Sequence, residues 1–218
     1  SMLTGASRPI IVAGYGARDA MPQVVALAER LKAPVLTTFK AKGQIGDDHP
    51  LAAGVLGRSG TPVASWFMNE CDLILVFGAS FSNHTGITPK KPTIQVDFDR
   101  MTLGRFHGVD LPVWGEIGVT AATLLDALQP GAVASDQREE LAERRQIWRE
   151  EKAKRASRDR GRGINAAAIF SILSDVVPED AIITVDVGNN TYSFGRYFEC
   201  RRQRVLMSGY LGSIGFAL

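Results

Sequence analysis

The strongest constraint on this chain is an alternation: short apolar runs, several ending in glycine, separated by stretches with helical periodicity. Pro9-Ile10-Ile11-Val12-Ala13 ends at Gly14-Tyr15-Gly16, Pro34-Val35-Leu36-Thr37-Thr38 follows, and Leu73-Ile74-Leu75-Val76-Phe77 ends at Gly78. Thr93-Ile94-Gln95-Val96-Asp97 is a fourth run, and Val113-Trp114-Gly115 a short fifth with edge character. Near-continuous apolar runs bounded by turn residues read as strands buried on both faces. Between them, Ala20 to Leu31 carries Val24, Val25, Ala28 and Leu31 at helical spacing. Thr61 to Asn69 reads as a helix with Thr61 as N-cap and Pro62 at its first position, and Ile117 to Leu128 as another. Strand and helix in alternation imply an α/β fold: a parallel sheet with helices on both faces, joined by right-handed crossovers.

That pattern stops at Pro130-Gly131. Residues 1–130 therefore read as a central nucleotide-binding-like domain. Residues 131–163 form a charged helical linker whose few apolar anchors are Leu141, Ile147 and Trp148. Its basic residues Lys152, Lys154, Arg155, Arg158, Arg160 and Arg162 tempt a nucleic-acid reading. Glu139, Glu140, Glu143, Glu150 and Glu151 lie on the same stretch, which favours a solvated connector. Residues 164–218 begin a second, incomplete α/β domain: Asn165 caps a helix holding Ile169, Ile172, Leu173 and Val176, and Ala181 to Asp186 and Arg204 to Met207 are strands. A glycine-rich turn covers Gly209 to Gly215, and Phe216 opens a helix. The last residues carry neither a cap nor a polar tail, so the native polypeptide is expected to continue past Leu218.

Bulk properties exclude several classes. The net charge of +2 is too small to predict a nucleic-acid or membrane partner. No apolar run is long enough to span a membrane, and the first residues lack the apolar core of a secretory signal. Cys71 and Cys200 stand far apart, which fits a reducing, cytoplasmic setting and no zinc site. His49, His84 and His107 belong to no nucleophile motif, and Cys71 reads as core.

The loops after the strands carry the chemistry. Gly14 and Gly16 sit between a strand and a helix, where glycines let backbone approach a phosphate; a structural tight turn is the equal alternative. A dinucleotide fingerprint would place a third glycine at Asp19 and an acid near Thr38, and neither is present. Gly57, Arg58, Gly60 and Thr61 offer N–H groups, a hydroxyl and a cation for an anion. Gly78, Ala79 and Ser80 follow the third strand, and Asp97, at the end of the fourth, is either a ribose acceptor or a helix N-cap. Together these loops favour a crevice for an adenine nucleotide, since open α/β sheets bind ligands beyond the strands' C-terminal ends. Asp186, Gly188, Asn189 and Asn190 end a later strand as a turn that is either a diphosphate site or an Asx turn. Gly212, Ser213, Ile214 and Gly215 press backbone close to a ligand or to a crossing helix.

In order along the chain, Arg8 to Ala17, Leu27 to Thr38, Lys42 to Thr61, Asp72 to Phe81 and Ile94 to Asp99 resemble the central domain of the acetolactate synthase and pyruvate oxidase group of thiamine-diphosphate enzymes. Asp186 to Asn190 and Leu211 to Phe216 resemble the opening of that group's diphosphate-binding domain. The resemblance implies a Rossmann-like central sheet, and thiamine diphosphate held by Asp186, Gly188, Asn189, Asn190, Gly212, Ser213, Ile214 and Gly215, with Ile214 propping the cofactor in its bent form. In that group the central domain binds FAD in some members, an adenine nucleotide in a few and nothing in others; where one is bound, the resemblance places it at Gly14, Gly16, Gly57, Arg58, Gly60, Thr61, Gly78, Ala79, Ser80 and Asp97. It also implies an activating glutamate and Mg²⁺ ligands outside these 218 residues, so the chain alone is expected to be inactive. The whole enzyme would decarboxylate a 2-oxo acid as a homodimer or homotetramer. Two other readings share the sheet type: a non-catalytic adenine-nucleotide-binding module acting through a partner, and an NAD-dependent deacylase or transhydrogenase domain, which leaves residues 164–218 unexplained.

Overall fold

Every residue of the strands Pro9–Ala13 (β1), Val35–Thr37 (β2), Leu73–Phe77 (β4) and Thr93–Asp97 (β5) is buried. The apolar runs thus form strands covered on both faces. With Ala52–Val55 (β3) and Leu111–Trp114 (β6) they build one sheet in the order β3-β2-β1-β4-β5-β6, and every neighbouring pair is parallel. The structure is a computed structural model and describes residues 2–81, 85–88, 90–129, 135–159, 161–208 and 214–217.

Side chains along a strand alternate between faces, and the core divides accordingly. Ile11, Ala13, Val35, Leu75 and Phe77 pack on Met21, Val24, Leu27 and Leu31 of helix Met21–Leu31 (α2, after the short α1, Met2–Gly5) and on Ile117 and Ala121 of a later helix, Ile117–Ala127. Ile10, Val12, Leu36, Ile74 and Val76 face the other way, toward Val63, Ala64, Phe67 and Met68 of helix Pro62–Glu70 (α3; Ile117–Ala127 is α4). Thr61 caps α3 by accepting the Ala64 N–H at 3.2 Å, and Cys71 is core at 2 % exposure.

The charged stretch forms helix Arg138–Ala156 (α5), and it is docked as well as solvated. Leu141 and Trp148 enter the second core cluster, while Ile147 is left 48 % exposed. Glu140 accepts from Arg8 Nη2 at 2.7 Å and from Trp66 Nε1 at 2.8 Å, and Gln137 Nε2 donates to the Pro9 carbonyl at 2.8 Å. Arg160 lies outside the described residues.

Beyond it, helix Ala166–Val176 (α6) is capped by Asn165, which accepts the Ala168 N–H at 2.9 Å. Ile182–Val185 (β7) and Arg204–Met207 (β8) pair in parallel as a two-stranded sheet, and helix Asn189–Tyr197 (α7) connects them. Their core is small: Val185, Phe194, Phe198, Cys200 and Val205, with Phe170 and Leu173 against it.

Three elements differ from expectation. Strand β3 was not foreseen because Ala52-Ala53-Gly54 has low strand propensity. Helix α7 was not foreseen because Asn, Thr, Ser and Gly are weak helix formers; burial of Thr191 and Phe194 holds it. Residues 214–217 form a turn, so Phe216 does not open a helix among the described residues.

Candidate cofactor site

The strand order turns around at β1, whose neighbours are β2 on one side and β4 on the other. In open parallel sheets this is where a crevice opens beyond the strands' C-terminal ends. Two strand ends meet there backbone to backbone. A Cβ on Gly14 would stand 2.6 Å from the Ala79 Cα, and one on Gly78, whose φ is +62°, would stand 2.5 Å from the Ala17 N. The Gly14 N–H donates to the Phe77 carbonyl at 2.8 Å, Gly16 to Gly78 at 3.0 Å, and Ala17 to Gly14 at 3.1 Å. These N–H groups are engaged within the protein, so the glycines of this turn serve close packing of the two strand ends.

A cavity of about 380 Å³, within the usual range for small-molecule sites, lies over that junction. Tyr15 from the first loop, Thr38, Phe39 and Lys40 after β2, and Leu56 and Ser59 after β3 line one side. Gly78, Ala79, Ser80 and Phe81 after β4 line another, and Val185 to Gly188, Thr191 and Tyr192 of the second region close it. Phe81 has φ +54°, unusual for a bulky residue, and is buried against the edge of His107. Gln95 supports this loop from below. Fully buried, it donates to the Ala79 carbonyl at 3.0 Å and the Thr102 carbonyl at 3.3 Å, and accepts the Gly104 N–H at 2.8 Å. Sequence reasoning missed Gln95, although a polar residue inside an apolar strand was the signal.

The sequence-predicted residues separate into those at the cavity and those away from it. Gly78, Ala79, Ser80, Asp186 and Gly188 line it. Gly57, Arg58, Gly60, Thr61 and Asp97 are not among the lining residues. The Arg58 and Gly60 carbonyls instead accept from Arg196 of α7 at 2.9 and 3.0 Å, which fastens the second region to this loop. Asp97 is buried and accepts the Asp99 N–H at 2.9 Å; burial raises its pKa above the ordinary carboxylate value. His49 accepts the Leu51 N–H at Nδ1, and His84 lies outside the described residues.

On the second region's side, Gly188 stands at the N-terminus of α7 with φ +144°, and no side chain caps the helix. A free helix N-terminus presents N–H groups and a positive dipole end to an anion. Asn189 and Asn190 are exposed in its first turn. The Asp186 carboxylate accepts from Val187 N at 3.0 Å and from Gly215 N at 2.7 Å, which ties the turn at Ile214 and Gly215 to the end of β7. The Thr191 hydroxyl donates to the Asp186 carbonyl. Ile214 is 89 % exposed. Gly212 and Ser213 lie outside the described residues. Lys40 and Asp186 are the charged residues of the lining. Among the described residues, no group of three or more His, Cys, Asp or Glu could hold a metal, and no helix is long and apolar enough to cross a membrane.

Comparison with known proteins agrees with this architecture. Over 230 aligned residues the chain is 32 % identical to a probable acetolactate synthase large subunit of Methanocaldococcus jannaschii, covering 99 % of this chain and 38 % of that protein. It is 28 % identical to the acetolactate synthase isozyme 2 large subunit of Escherichia coli, covering 100 % of this chain and 39 % of that one. It is 31 % identical to a sulfoacetaldehyde acetyltransferase of Rhodobacter capsulatus, covering 42 % of it. The chain thus spans about two fifths of the length of these relatives. The family described as thiamine pyrophosphate enzyme, central domain, matches residues 1–127, the stretch that holds the whole six-stranded sheet. By that match the chain belongs to the thiamine pyrophosphate enzymes.

Proposed function

We propose that this chain is the cofactor-holding middle portion of an enzyme that decarboxylates a 2-oxo acid with thiamine diphosphate, in the manner of an acetolactate synthase. Residues 1–130 would be the central domain, 131–163 the connector, and 164–218 the first part of the diphosphate-binding domain. The observation that carries this reading is the junction of Gly78–Phe81 with Asp186–Gly188 around one cavity at the turning point of the sheet. Asp186, Gly188, Asn189 and Asn190, with Gly212, Ser213, Ile214 and Gly215, would hold thiamine diphosphate. The uncapped N-terminus of α7 fits a diphosphate, and the positive φ of Gly188 keeps that approach open. When bound, the cofactor supplies a nucleophilic carbon and an electron sink for decarboxylation.

On the sheet side, Thr38, Lys40 and Gly78 to Ser80 suit the adenine nucleotide of FAD or ADP, with Lys40 as the cation nearest a phosphate. Mg²⁺ would accompany the diphosphate, with protein ligands outside these residues. The enzyme would act in the cytoplasm as a homodimer or homotetramer, and the two free, buried thiols are compatible with a reducing compartment.

Full-length protein supplied with thiamine diphosphate, Mg²⁺ and pyruvate should release CO₂. Gly188→Val should weaken thiamine diphosphate binding roughly tenfold or more by crowding the helix N-terminus. Failure to release CO₂ from any of a panel of 2-oxo acids, with the cofactor shown to be bound, would overturn the reading. Calorimetric titration of this chain with FAD, ADP and NAD addresses the nucleotide: heat from FAD and ADP but not NAD puts an adenine end in the crevice. No binding even by the full-length protein makes the loops structural.

A further inference from the structure

A second cavity, of about 40 Å³, lies where the loop after β2, helix α5 and the segment after α7 meet. Its lining includes Lys42, Arg145, Arg149 and Arg196 against Asp47 and Glu199, four cations facing two carboxylates. The ion pairs cover only part of that charge. Lys42 Nζ lies 3.3 Å from Asp47 Oδ2, and Arg149 Nη2 lies 3.4 Å from Glu199 Oε2. Glu199 is shared with Lys152, whose Nζ is 2.5 Å from Oε1, and Asp47 Oδ2 also accepts the Cys200 N–H at 2.7 Å.

Among the described residues, no carboxylate pairs with Arg145 or Arg196. Arg145 donates to the carbonyls of Asp47 and His49, and Arg196 to those of Arg58 and Gly60. Carbonyls satisfy the N–H groups but leave the net positive charge in place. Arg145 and Arg149 stand four residues apart on α5, so they share a face and repel each other. Burial, then the Arg149 charge, pushes the Arg145 guanidinium below its ordinary value. Lys42 is paired with Asp47, and Asp47, Glu199 and Asp48 partly offset Arg145, so the uncompensated charge rests mainly on Arg145 and Arg196. Holding a part-buried cation with incomplete counter-charge is costly.

We propose that this cavity binds a small inorganic anion, bridging Arg145 and Arg149 of α5 to Lys42 and Arg196. A buried water needs about 10–15 Å³ of such space. The volume here admits a halide or a tetrahedral oxyanion. Because the four cations come from three stretches far apart in the chain, the anion would couple docking of residues 164–208 to the central sheet, and its binding would stabilise the docked state. This site is separate from the cofactor cavity and does not depend on the proposed reaction.

The test is thermal unfolding of this chain at fixed ionic strength in gluconate, bromide or phosphate, together with anomalous diffraction from bromide-soaked crystals. Gluconate screens charge as bromide does but is too large to enter. Bromide should raise Tm by roughly 2–4 °C over gluconate, with an anomalous peak in the cavity. Arg149→Gln, at a half-exposed side chain that should fold normally, should remove at least half of that gain. A phosphate gain that Arg149→Gln also halves would identify an oxyanion as the better occupant, since general salting effects are common to both proteins. Equal Tm in gluconate, bromide and phosphate, or no density for either bromide or phosphate in the cavity, would overturn the proposal.

Discussion

No residue of β4 in the six-stranded sheet is exposed, whereas Ile182 of β7 in the two-stranded sheet is 66 % exposed and Leu206 of β8 is 42 % exposed. Helix α6 shows the same contrast against α2: Ile172 and Val176 are 60 % and 65 % exposed, while Val24, Leu27 and Leu31 are fully buried. The inner strands of the large sheet have a strand on either side and apolar helix residues on both faces, so apolar burial dominates what holds them. The second region leans on specific contacts with the first. Gly195 of α7 packs against the Phe39 ring and the Ser59 carbonyl; a Cβ there would come within 2.6 Å and 2.8 Å of them. The Asp47 N–H donates to the Cys200 carbonyl at 2.7 Å, and the Lys42–Asp47 pair lies buried beneath Cys200. A large core tolerates local imperfection, while a small one needs its docking contacts intact.

That comparison breaks most visibly in the core of the large sheet. Phe77→Ala should cost about 3–5 kcal/mol, the range for a fully buried phenylalanine. The loss should appear as a lower denaturant midpoint for the whole chain; a loss confined to residues 1–130, with 164–208 unchanged, would mean that the two regions unfold independently. Lys42→Met comes next. It leaves Asp47 facing Cys200 without its cation, at a cost of about 3 kcal/mol. Hydrogen exchange should then rise in α7, β7 and β8 while β1 and β4 keep their protection, and uniform loss would contradict a docking role.

Gly195→Ala sharpens the contrast at lower cost, roughly 1–3 kcal/mol for overpacking. It should loosen residues 189–207 without moving the large sheet's exchange rates. The smallest effect is that of pH on Glu199. Burial opposes its ionisation, but the hydrogen bond and charge of Lys152 and the charge of Arg149 outweigh burial, so its folded-state pKa lies below the ordinary value. A depressed carboxylate stabilises above its unfolded pKa and loses that contribution as pH falls through the lower folded one. Docking of the second region should therefore weaken below about pH 4.5, and Glu199→Gln should flatten that dependence. Cys200, its thiol pushed up to about 12 by burial first, stays neutral throughout and adds nothing to the titration.

The sheet was legible because near-continuous apolar runs bounded by turn residues are local signals; β1, β4, β5 and β8 begin and end at the residues the sequence marks. Edge strand β6 was read two residues late, since Leu111 and Pro112 are exposed and lack the apolar signature. Of the candidate site, the loops after the strands were legible as turns. Their division into lining and packing residues was not, because Gly14 and Gly78 satisfy the same glycine requirement while only Gly78 reaches the cavity. Lys40 and Tyr192 joined the lining without any motif.

Sequence by itself determined an α/β chain with a parallel, doubly covered sheet, and resemblance along nearly its whole length pointed to the thiamine-diphosphate enzymes. The tertiary structure alone decided that the Gly78 loop and the Asp186 turn close on one cavity. It also decided that a charged helix with few apolar anchors lies docked, with Leu141 and Trp148 in the core and Lys152 bound to Glu199. Local patterns fix which face of an element is apolar. Which distant element covers that face depends on contacts between residues a hundred or more positions apart, such as Arg8 with Glu140 and Arg196 with Gly60, and no local pattern records them.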